Sequence, residues 1–385
     1  MKRVLVIQGQ MKQYRVPFFV KLHEALLGDG IVLKVAYGAD SSSGRRGDGA
    51  DLPEEIALKV KSLRIPTTRL IYHPILGEVA ASDLVIAEQA NRYLVNYLLL
   101  VLANLGLKRV AFWGLGKNKD EGRSEFSEWL RERIAKRVDW WFAYTKGTRD
   151  YLTSNGVSAE KITIIQNSID TEDFCRQLDA IGADEIAGAR RHFGIEDGNP
   201  VGLFVGALLP DKGLRFLLES ARLIKTRMPG FHLFIVGGGQ EQDAVGAACQ
   251  SLPWVHFVGP RFGQEKALFF KLSDLFLLPG RVGLAILDAF AAGLPLVTTD
   301  ISYHGPEVEY LESGCNGLIS GQDPAEFSDR VLRLLSDPDL LRKMKNRARE
   351  SSSRYSIEVM VENFRTGICG ALSATKLRSA ASTRA

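Results

Sequence analysis

Hydrophobic positions in the first half of the chain form short runs rich in β-branched and aromatic residues, separated by longer segments with helical spacing. This alternation is typical of α/β folds, in which helices join parallel strands and cover both faces of the sheet. We therefore expect a doubly wound parallel sheet. The predicted strands are RVLVIQ, VLKVAY, DLVIAE, RVAFWG, WWFAYT and ITIIQN, and the predicted helices lie at 17–27, 91–105 and 121–137.

The second half of the chain repeats this pattern. The strand runs VGLFVG, FHLFIVGG, VHFVG, LFLLPG and PLVTTD alternate with helical segments at 214–227, 240–250 and 264–271. A single hydrophobic core rarely supports a chain of 385 residues. The two halves therefore predict two domains of the same architecture.

The segment between the halves, NSIDTEDFCRQLDAIGADEIAGARRHFGIEDGNP, has no strand pattern and many polar residues. We place the boundary at 167–170, which gives an N-terminal domain of 1–168 and a C-terminal domain of 169–354. The Ser/Ala-rich, basic residues 373–385 predict a disordered tail, and the Gly and Ser residues at 41–51 predict a mobile loop.

Composition and charge narrow the class of protein. With 45% hydrophobic and 24% charged residues the chain is typical of a globular protein, and the net charge of +4 gives no argument for nucleic acid. The four cysteines are far apart and show no metal-ligand spacing, so we expect free thiols in the cytoplasm. The apolar run at 93–107 contains two asparagines and is shorter than a membrane span, which favours a buried helix over a membrane-dipping one.

Three glycine-rich turns follow strands in the second half. In PGRVGL the amides of Gly283 and Leu284 would face an anion such as a diphosphate, because helix N-termini present unpaired N–H groups. In ALLPDKG the side chain of Lys212 would reach a phosphate, and VGGGQEQ opens another helix. For the first turn the alternative is a tight strand-to-helix connection without a ligand, and for Lys212 the alternative is a solvated lysine in a turn. Together the three turns predict a phosphorylated ligand.

The motifs FVGALLPDKGLRFLLESARL, FHLFIVGGGQEQ, NSID, GLAILDAFAAGLPLVTTD and GPEVEYLESGCNGLI, in this order and spacing, resemble those of the retaining family four glycosyltransferases of the GT-B fold. The resemblance covers nearly the whole chain. It implies two Rossmann-like domains, with a nucleotide diphosphate sugar bound by the C-terminal domain and the acceptor by the N-terminal domain. The closing YSIEVMVENF resembles the family's terminal helix, here about 355–372, which crosses back to the N-terminal domain.

The donor site departs from the family pattern. Family members carry an Arg and a Lys that clamp the diphosphate, and two Glu eight residues apart. Lys212 matches the family lysine, but Ala207 occupies the arginine position, and Gly280 and Asp288 occupy the glutamate positions. We expect Asp288 to bind the ribose. The residues expected around the nucleotide sugar are Gly206, Gly238, Gly239, Pro260, Gly283, Leu284 and Asp288.

Arg281 directly follows Gly280, the residue at the first glutamate position. Our hypothesis is that its planar guanidinium replaces the charge lost at Ala207, and the alternative is an exposed loop arginine. In a retaining reaction Lys212, Arg281 and the helix amides would stabilise the leaving diphosphate. No metal is expected, because the chain has no acidic pair of the DxD type in a suitable loop.

The family's acid–base histidine has no counterpart, since Leu115 stands where it is expected. The resemblance also implies that a phosphate oxygen takes the acceptor proton. His73, His304 and Glu88 are the candidate replacements for this catalytic histidine. His304 and Glu307, in HGPE after a predicted strand, would face the donor sugar and are preferred to His73, and Glu307 would take over hydroxyl recognition from the missing glutamate.

On the acceptor side, Tyr14 and Arg15 follow the first predicted strand, and Glu88 ends the third. The helix SEFSEWLRERIAKRVDWW is suited to an anionic membrane surface, although a solvated helix face also explains its charges. Its aromatic and basic residues are Trp129, Arg131, Arg133, Lys136 and Arg137.

These observations predict a retaining, metal-independent glycosyltransferase. It would move a hexose or deoxyhexose to a saccharide or lipid-linked saccharide in surface polysaccharide or glycolipid assembly, from the cytoplasm or the inner face of the membrane. The competing hypothesis is a catalytically impaired GT-B protein that binds a nucleotide sugar or partners an active enzyme. A GT-B epimerase or phosphorylase is a third hypothesis, for which the chain offers no distinguishing residue.

Overall fold

The computed structural model describes residues 1–38, 50–68, 70–116 and 136–374. The chain divides into two compact units. Unit 1 comprises Met1–Ile169 and Ile357–Ala385, and unit 2 comprises Asp170–Ser356. The division lies within 167–170, the segment in which the sequence predicts the boundary.

A seven-stranded sheet, all of whose pairs are parallel, forms the centre of unit 1. Its order is β3-β2-β1-β6-β7-β8-β9, and a separate antiparallel pair, β4-β5, lies outside it. The strands are β1 (Lys2–Gln10), β2 (Ile31–Gly38), β3 (Ala57–Val60), β4 (Leu63–Arg64), β5 (Ile71–Tyr72), β6 (Leu84–Glu88), β7 (Arg109–Gly114), β8 (Trp140–Ala143) and β9 (Ile162–Ile164).

Helices cover both faces of this sheet because the alternate side chains of its strands are apolar on each side. Among the described residues they are α1 (Val16–Gly28), α2 (Leu76–Ala81), α3 (Leu94–Asn104), α4 (Lys146–Ser154) and the chain's last helix, Ile357–Ser373. This last helix is part of the unit 1 core: Phe364 stacks on Phe142 at 4.3 Å between ring centroids and meets Trp113 at 4.9 Å. The C-terminal helix expected to cross back to the N-terminal domain is therefore confirmed.

Unit 2 is built on a six-stranded parallel sheet of order β12-β11-β10-β13-β14-β15. Its strands are almost continuously apolar, which is typical of parallel strands buried on both faces. They are β10 (Val201–Val205), β11 (His232–Val236), β12 (Val255–Gly259), β13 (Leu275–Leu277), β14 (Leu296–Thr299) and β15 (Gly317–Ser320).

The helices of unit 2 connect these strands and extend beyond them. They are α5 (Glu172–Ala180), α6 (Ala183–His192), α7 (Leu214–Arg227), α8 (Gln242–Gln250), α9 (Gly263–Lys271), α10 (Ala285–Ala291), α11 (Pro324–Leu335) and α12 (Pro338–Arg354), so that the helix Ile357–Ser373 of unit 1 is α13. Asp323 and Asp337 cap α11 and α12 by accepting hydrogen bonds from Ala325 N and Leu340 N.

Some elements were not expected from the sequence. β3 and β15 extend the two sheets at their edges, and both are four residues long, too short to stand out as apolar runs. Two helices, α5 and α6, occupy the polar segment after the boundary. The predicted mobile loop, most of the predicted helix at 121–137 and the tail from 375 onward lie outside the described residues.

The apolar run at 93–107 contains α3, which buries Val95, Leu99 and Leu100 against the sheet of unit 1. None of the helices in the described parts of the chain has the length and apolar character needed to cross a bilayer.

Candidate functional site

Each sheet has a point at which the strand order reverses. In unit 2 the reversal lies between β10 and β13, and in unit 1 between β1 and β6. Loops that leave neighbouring strands in opposite directions open a crevice at the carboxyl edge, which is where α/β proteins bind ligands. These two places are named here the unit 2 and unit 1 switch points.

At the unit 2 switch point the loop 206–213 after β10 is bound to the loop 278–284 after β13. Arg281 N donates to Asp211 O at 2.7 Å, and Gly280 N donates to Lys212 O at 3.1 Å. The ammonium of Lys212 donates to Arg281 O at 2.6 Å. The two loops therefore form one unit, with Lys212 at its centre.

This contact explains the glycine at position 280, where the sequence resemblance implied a glutamate. A Cβ at Gly280 would lie 2.2 Å from the carbonyl carbon of Lys212 and 2.4 Å from Asp211 O. The obstructing atoms belong to the backbone, so no side-chain movement relieves them. Position 280 can therefore hold no glutamate while these loops keep this arrangement.

Arg281 lies beside Lys212 at this edge. Its side chain is 46% exposed, and Nη1 lies 3.9 Å from Asp211 Oδ2, which is a long ion pair. Asp211 Oδ1 is buried without a hydrogen-bond partner. Arg281 thus places a second positive charge at the edge, while Asp211 competes with any bound phosphate for that charge. Its role as the phosphate clamp stays a prediction.

The loop after β14 is bound to the same edge by His304, which is 5% exposed. Its Nδ1 accepts from Val282 N at 3.0 Å, and its Nε2 donates to Thr299 O at 2.7 Å. Because Nδ1 is the acceptor, the ring is the neutral tautomer with hydrogen on Nε2. Both ring nitrogens are engaged by backbone groups, so the geometry favours a positioning role for His304 over the catalytic one expected from the sequence.

Two backbone amides remain available between these loops. Gly283 N and Leu284 N donate no hydrogen bond to any described residue, and the space above the α-carbon of Gly283 is open. Glu307 is 4% exposed, and its Oε2 would lie 2.6 Å from a Cβ at Gly305. Burial, and then the charge of Glu307, raise the pKa of Tyr310. The two amides therefore lie in the loop after β13, and Glu307 lies in the segment after β14 that is hydrogen-bonded to that loop through Gly305 N and Val282 O.

Asp288, on α10, forms an ion pair that the sequence did not suggest. Its Oδ2 accepts from Lys266 Nζ at 3.0 Å, and the two side chains are only 17% and 23% exposed. The ammonium of Lys266 also lies 4.4 Å from the ring centroid of Phe174. Asp288 therefore carries a neutralising partner at the position expected to bind ribose.

The third glycine-rich turn packs against the first. A Cβ at Gly237 would lie 1.9 Å from Gly206 O, and one at Gly239 would lie 2.6 Å from Leu208 O. Leu208 N donates to Gly238 O at 3.1 Å. Loop packing alone accounts for the glycines at 237 and 239. Pro260 lies against the same turn, 3.7 Å from the Cβ position of Gly238.

The unit 1 switch point differs, because its loops enclose a cavity of about 710 Å³. The three residues expected on the acceptor side, Tyr14, Arg15 and Glu88, all line this cavity. Its other charged and aromatic lining residues are Lys12, Arg64, Arg92, Tyr93 and Tyr144. The sequence analysis missed Arg92. Residues at and just after the carboxyl ends of parallel strands lie at the ligand-binding edge, and this reasoning, which selected Glu88 at the end of β6, applies equally to Arg92.

Arg15 is the most buried charge in this cavity, at 6% exposure. Its guanidinium lies 4.4 Å from the ring centroid of Trp113, and Nη2 donates to Tyr144 Oη at 3.4 Å. Its Nη1 is buried without a hydrogen-bond partner. A buried unsatisfied donor costs about 1–3 kcal/mol, which the cation–π contact partly offsets.

Glu88 and Tyr93 also line the cavity. Glu88 Oε2 accepts from Gly9 N at 3.2 Å, and the hydroxyl of Tyr93 lies over Gly9, where a Cβ would be 1.5 Å away. Burial, and then the charge of Glu88, raise the pKa of Tyr93 to about 12. Arg92 lies over the Tyr93 ring at 4.9 Å.

His73 is almost fully buried, at 1% exposure, and its Nε2 lies 3.1 Å from Ser62 Oγ. Burial, with a smaller effect of the charge on Arg92, lowers the pKa of His73, so the ring is neutral near pH 7. This environment favours a structural role. Of the proposed membrane helix, Lys136 and Arg137 are exposed, while Trp129, Arg131 and Arg133 lie outside the described residues.

Residues 199–337 match the sequence family described as "Glycosyl transferases group 1". This segment belongs to the group 1 glycosyltransferases. All the loops of the unit 2 switch point, from Gly206 to Glu307, lie inside the group 1 segment, and the unit 1 cavity lies outside it. Among the described residues, no cluster of three or more His, Cys, Asp or Glu side chains is placed to hold a metal ion.

Two curated relatives each resemble part of the chain. An uncharacterized glycosyltransferase of Haemophilus influenzae is 30% identical over 171 residues, which are 42% of this chain and 47% of that protein. D-inositol 3-phosphate glycosyltransferase of Corynebacterium urealyticum is 31% identical over 183 residues, 44% of this chain and 43% of that protein. The chain spans less than half the length of these two relatives.

The solved structure of HepE from Anabaena in complex with UDP is similar with a TM-score of 0.69 and 16% identity, covering 96% of this chain and 100% of that chain. At this identity the likeness shows the fold alone. The α/β architecture of two Rossmann-like units of the GT-B class, expected from the sequence, is confirmed.

Proposed function

We propose that the protein transfers a sugar from a nucleotide diphosphate sugar to a saccharide acceptor with retention of configuration. One observation carries the proposal: Lys212, Arg281 and the unengaged amides of Gly283 and Leu284 belong to loops at a single switch point within the group 1 segment. Cations and backbone N–H groups at such an edge are what a diphosphate requires.

In the proposed reaction the bond between the sugar and the diphosphate breaks as the sugar gains oxocarbenium character. Lys212 and Arg281 stabilise the negative charge that develops on the leaving diphosphate, and the two amides donate to its oxygens. The ammonium of Lys212 also donates to the backbone carbonyl of Arg281, so Lys212 positions the residue that carries the second positive charge. We propose that these groups act without a metal ion.

The acceptor hydroxyl attacks on the face from which the diphosphate leaves, and a phosphate oxygen takes its proton. The engagement of both His304 nitrogens by backbone groups supports a route in which this histidine is not the base. Glu307, buried beside Gly305, is the candidate for binding hydroxyls of the donor sugar. Asp288 is assigned to the ribose, with Lys266 holding its carboxylate.

For the acceptor we propose the cavity of unit 1, because Tyr14, Arg15 and Glu88 line it together. A saccharide of one or two rings is compatible with a volume of about 710 Å³. We further propose that the acceptor is lipid-linked and that the product enters a surface polysaccharide or glycolipid, with the protein in the cytoplasm or bound peripherally to the inner face of the membrane. This part rests on the family resemblance.

A second candidate function has a specific observation in its favour. The close approach of Gly280 to Lys212 excludes the first family glutamate, and Asp288 is ion-paired where the second would stand. A protein with these changes can bind a nucleotide sugar without transferring it. The alternative proposal is therefore a nucleotide-sugar-binding GT-B protein that acts as the partner of an active enzyme.

Release of nucleoside diphosphate from UDP-, GDP-, ADP- and dTDP-sugars, with and without saccharide acceptors, tests the proposal. We expect turnover with one donor, and a loss of about 100-fold in kcat/KM for Lys212→Ala. Lys271→Ala, an exposed lysine at the end of α9, is the matched control and is expected to be unaffected. Donor binding without turnover would favour the partner protein, and absence of both would overturn the proposal.

A further inference from the structure

The unit 1 cavity is unbalanced in charge. Among the described residues it is lined by four basic side chains and a single carboxylate, that of Glu88. The basic residues are Lys12, Arg15, Arg64 and Arg92. A neutral sugar needs hydrogen-bond donors and acceptors in similar number, whereas this lining offers an excess of cationic donors.

Arg15 is held rigidly at the inner wall. Its guanidinium lies over the Trp113 ring, at 4.4 Å from the centroid, and Tyr14 and Tyr144 flank it at 5.3 and 5.9 Å. Because these rings and the hydrogen bond to Tyr144 restrict the side chain, little conformational freedom remains to be lost when a ligand binds.

The same side chain retains an unused donor. Nη1 of Arg15 is buried and has no hydrogen-bond partner, although Nη2 donates to Tyr144 Oη. Buried polar groups are nearly always hydrogen-bonded, so the unpartnered Nη1 of an arginine that lines a cavity points to an acceptor atom that the described protein groups do not supply.

Glu88 does not supply that acceptor atom. Its charge attracts Arg15, but its Oε2 accepts from the backbone of Gly9, and Arg15 Nη1 remains without a partner. One carboxylate also leaves the charges of Arg64 and Arg92 at the cavity without compensation from another acidic lining residue in the described chain. A ligand with its own negative charge matches this arrangement.

We propose that the acceptor carries an anionic oxygen group, a phosphate or a carboxylate, and that Arg15 binds this group in the unit 1 cavity. The inference rests on the proposed function, because it takes the cavity as the acceptor site. Two oxygens of such a group match the planar fork of a guanidinium, while Arg64 and Arg92 add attraction at the exposed rim. The acceptor is therefore a sugar phosphate or an acidic sugar rather than a neutral saccharide.

Calorimetric titration of the wild-type protein with glucose 6-phosphate, glucuronate and glucose tests this charge requirement. We expect one or both anions to bind at least about tenfold more tightly than glucose, because charge-assisted hydrogen bonds are roughly twice as strong as neutral ones. The two anions distinguish a phosphate from a carboxylate. Equal binding of glucose, or no binding of either anion at millimolar concentration, would overturn the inference.

Variants then locate the site. Arg15→Met is expected to weaken anion binding at least about tenfold, and Arg92→Ala, at the exposed rim, about threefold. Arg3→Met is the matched control, because Arg3 lies at the opposite end of β1 and contacts Glu78. Unchanged anion affinity in a folded Arg15→Met protein contradicts the assignment. If circular dichroism shows that this variant does not fold, Arg92→Ala and the wild-type comparison of charged and neutral sugars decide.

Binding of UDP-glucose and the other donors to the wild-type protein is measured in parallel. If no donor binds the wild-type protein, the proposed function is contradicted, and the measured preference of the cavity for anions remains a separate result. Donor turnover with no preference for anionic acceptors contradicts only the present inference.

Discussion

The two switch points share one topology and differ in how their loops meet. In unit 2 the backbones of the loops touch, and Gly280 lies so close to Lys212 that no Cβ fits between them. In unit 1 the loops stand apart and leave a cavity of about 710 Å³. The topology fixes where a ligand site arises, and the side chains of the loops decide whether backbone or side-chain groups recognise the ligand.

The available groups follow this difference. At the unit 2 switch point the two unengaged amides of Gly283 and Leu284 accompany Lys212 and Arg281, which suits a diphosphate. At the unit 1 switch point the recognition groups are side chains, with Arg15 stacked on Trp113 and Tyr93 folded over Gly9. Glycine therefore serves opposite purposes: it brings two backbones together at position 280 and makes room for a tyrosine at position 9.

The largest expected effect is that of Gly280→Ala. The methyl group would overlap the backbone of Asp211 and Lys212, so the loops must separate. We expect the free energy of unfolding of unit 2 to fall by about 3 kcal/mol and donor binding to be lost. Denaturant unfolding and UDP titration measure the two effects. Gly283→Ala is the control for stability, because its Cβ enters open space; similar destabilisation by both variants would refute the close-contact explanation.

The response of unit 2 to acid is the next in size. Burial, and then the neighbouring His232, Lys225 and His192, lower the pKa of His256 to about 4. The folded state therefore prefers the neutral ring, and stability is lost as the pH falls from about 6.5, the unfolded value, to about 4. After allowance for partial exposure of the ring, we expect a loss of about 2 kcal/mol.

His256→Phe tests this response, because the ring packs among Phe193 and Phe234 and phenylalanine does not titrate. The difference in thermal midpoint between variant and wild type, followed from pH 7 to pH 4, reports the contribution of His256 together with that of His232, whose Nδ1 lies 3.0 Å from His256 Nε2. A difference that does not change with pH would show that the histidine is not responsible. The same pH series on a His73→Phe variant gives the corresponding acid response of unit 1, because burial lowers the pKa of His73 as well.

Arg281→Ala measures the cationic part of the unit 2 site. We expect the Kd for the nucleotide diphosphate to rise about tenfold, or about 1.4 kcal/mol, and turnover to fall further, because the lost charge acts on the leaving group. Isothermal titration and product release give the two values. Arg222→Ala, an exposed arginine on α7, is the control. Unchanged affinity and turnover would leave Arg281 as an exposed loop residue.

Gly9→Ala is the unit 1 counterpart of Gly280→Ala and is expected to have the smallest effect. Its Cβ would meet the end of the Tyr93 side chain, which can move, rather than a backbone. We expect a loss of about 1 kcal/mol in denaturant unfolding, with a changed affinity of the cavity for glucose 6-phosphate. A loss as large as that of Gly280→Ala would show that the loops of unit 1 are as tightly constrained as those of unit 2.

The sequence predicted the repeated strand–helix pattern, the positions of the turns after the strands and the presence of two units. It could do so because parallel strands buried on both faces appear as apolar runs, which are a local property. The same reasoning placed Tyr14, Arg15 and Glu88 at one edge, since the carboxyl ends of parallel strands lie together. It missed the short edge strands β3 and β15, whose pairing depends on a neighbouring strand rather than on their own residues.

Only the tertiary structure decided the contacts between distant residues. Three contacts join segments that are separated in the chain. They are the hydrogen bond from Arg15 to Tyr144, the ion pair of Lys266 with Asp288 and the close approach of Gly280 to Lys212. No local pattern encodes such contacts, because they depend on how whole elements pack. The sequence by itself therefore determined where the two candidate sites lie. Packing determined that the loops of one candidate site are in backbone contact and that those of the other enclose a cavity lined by basic side chains.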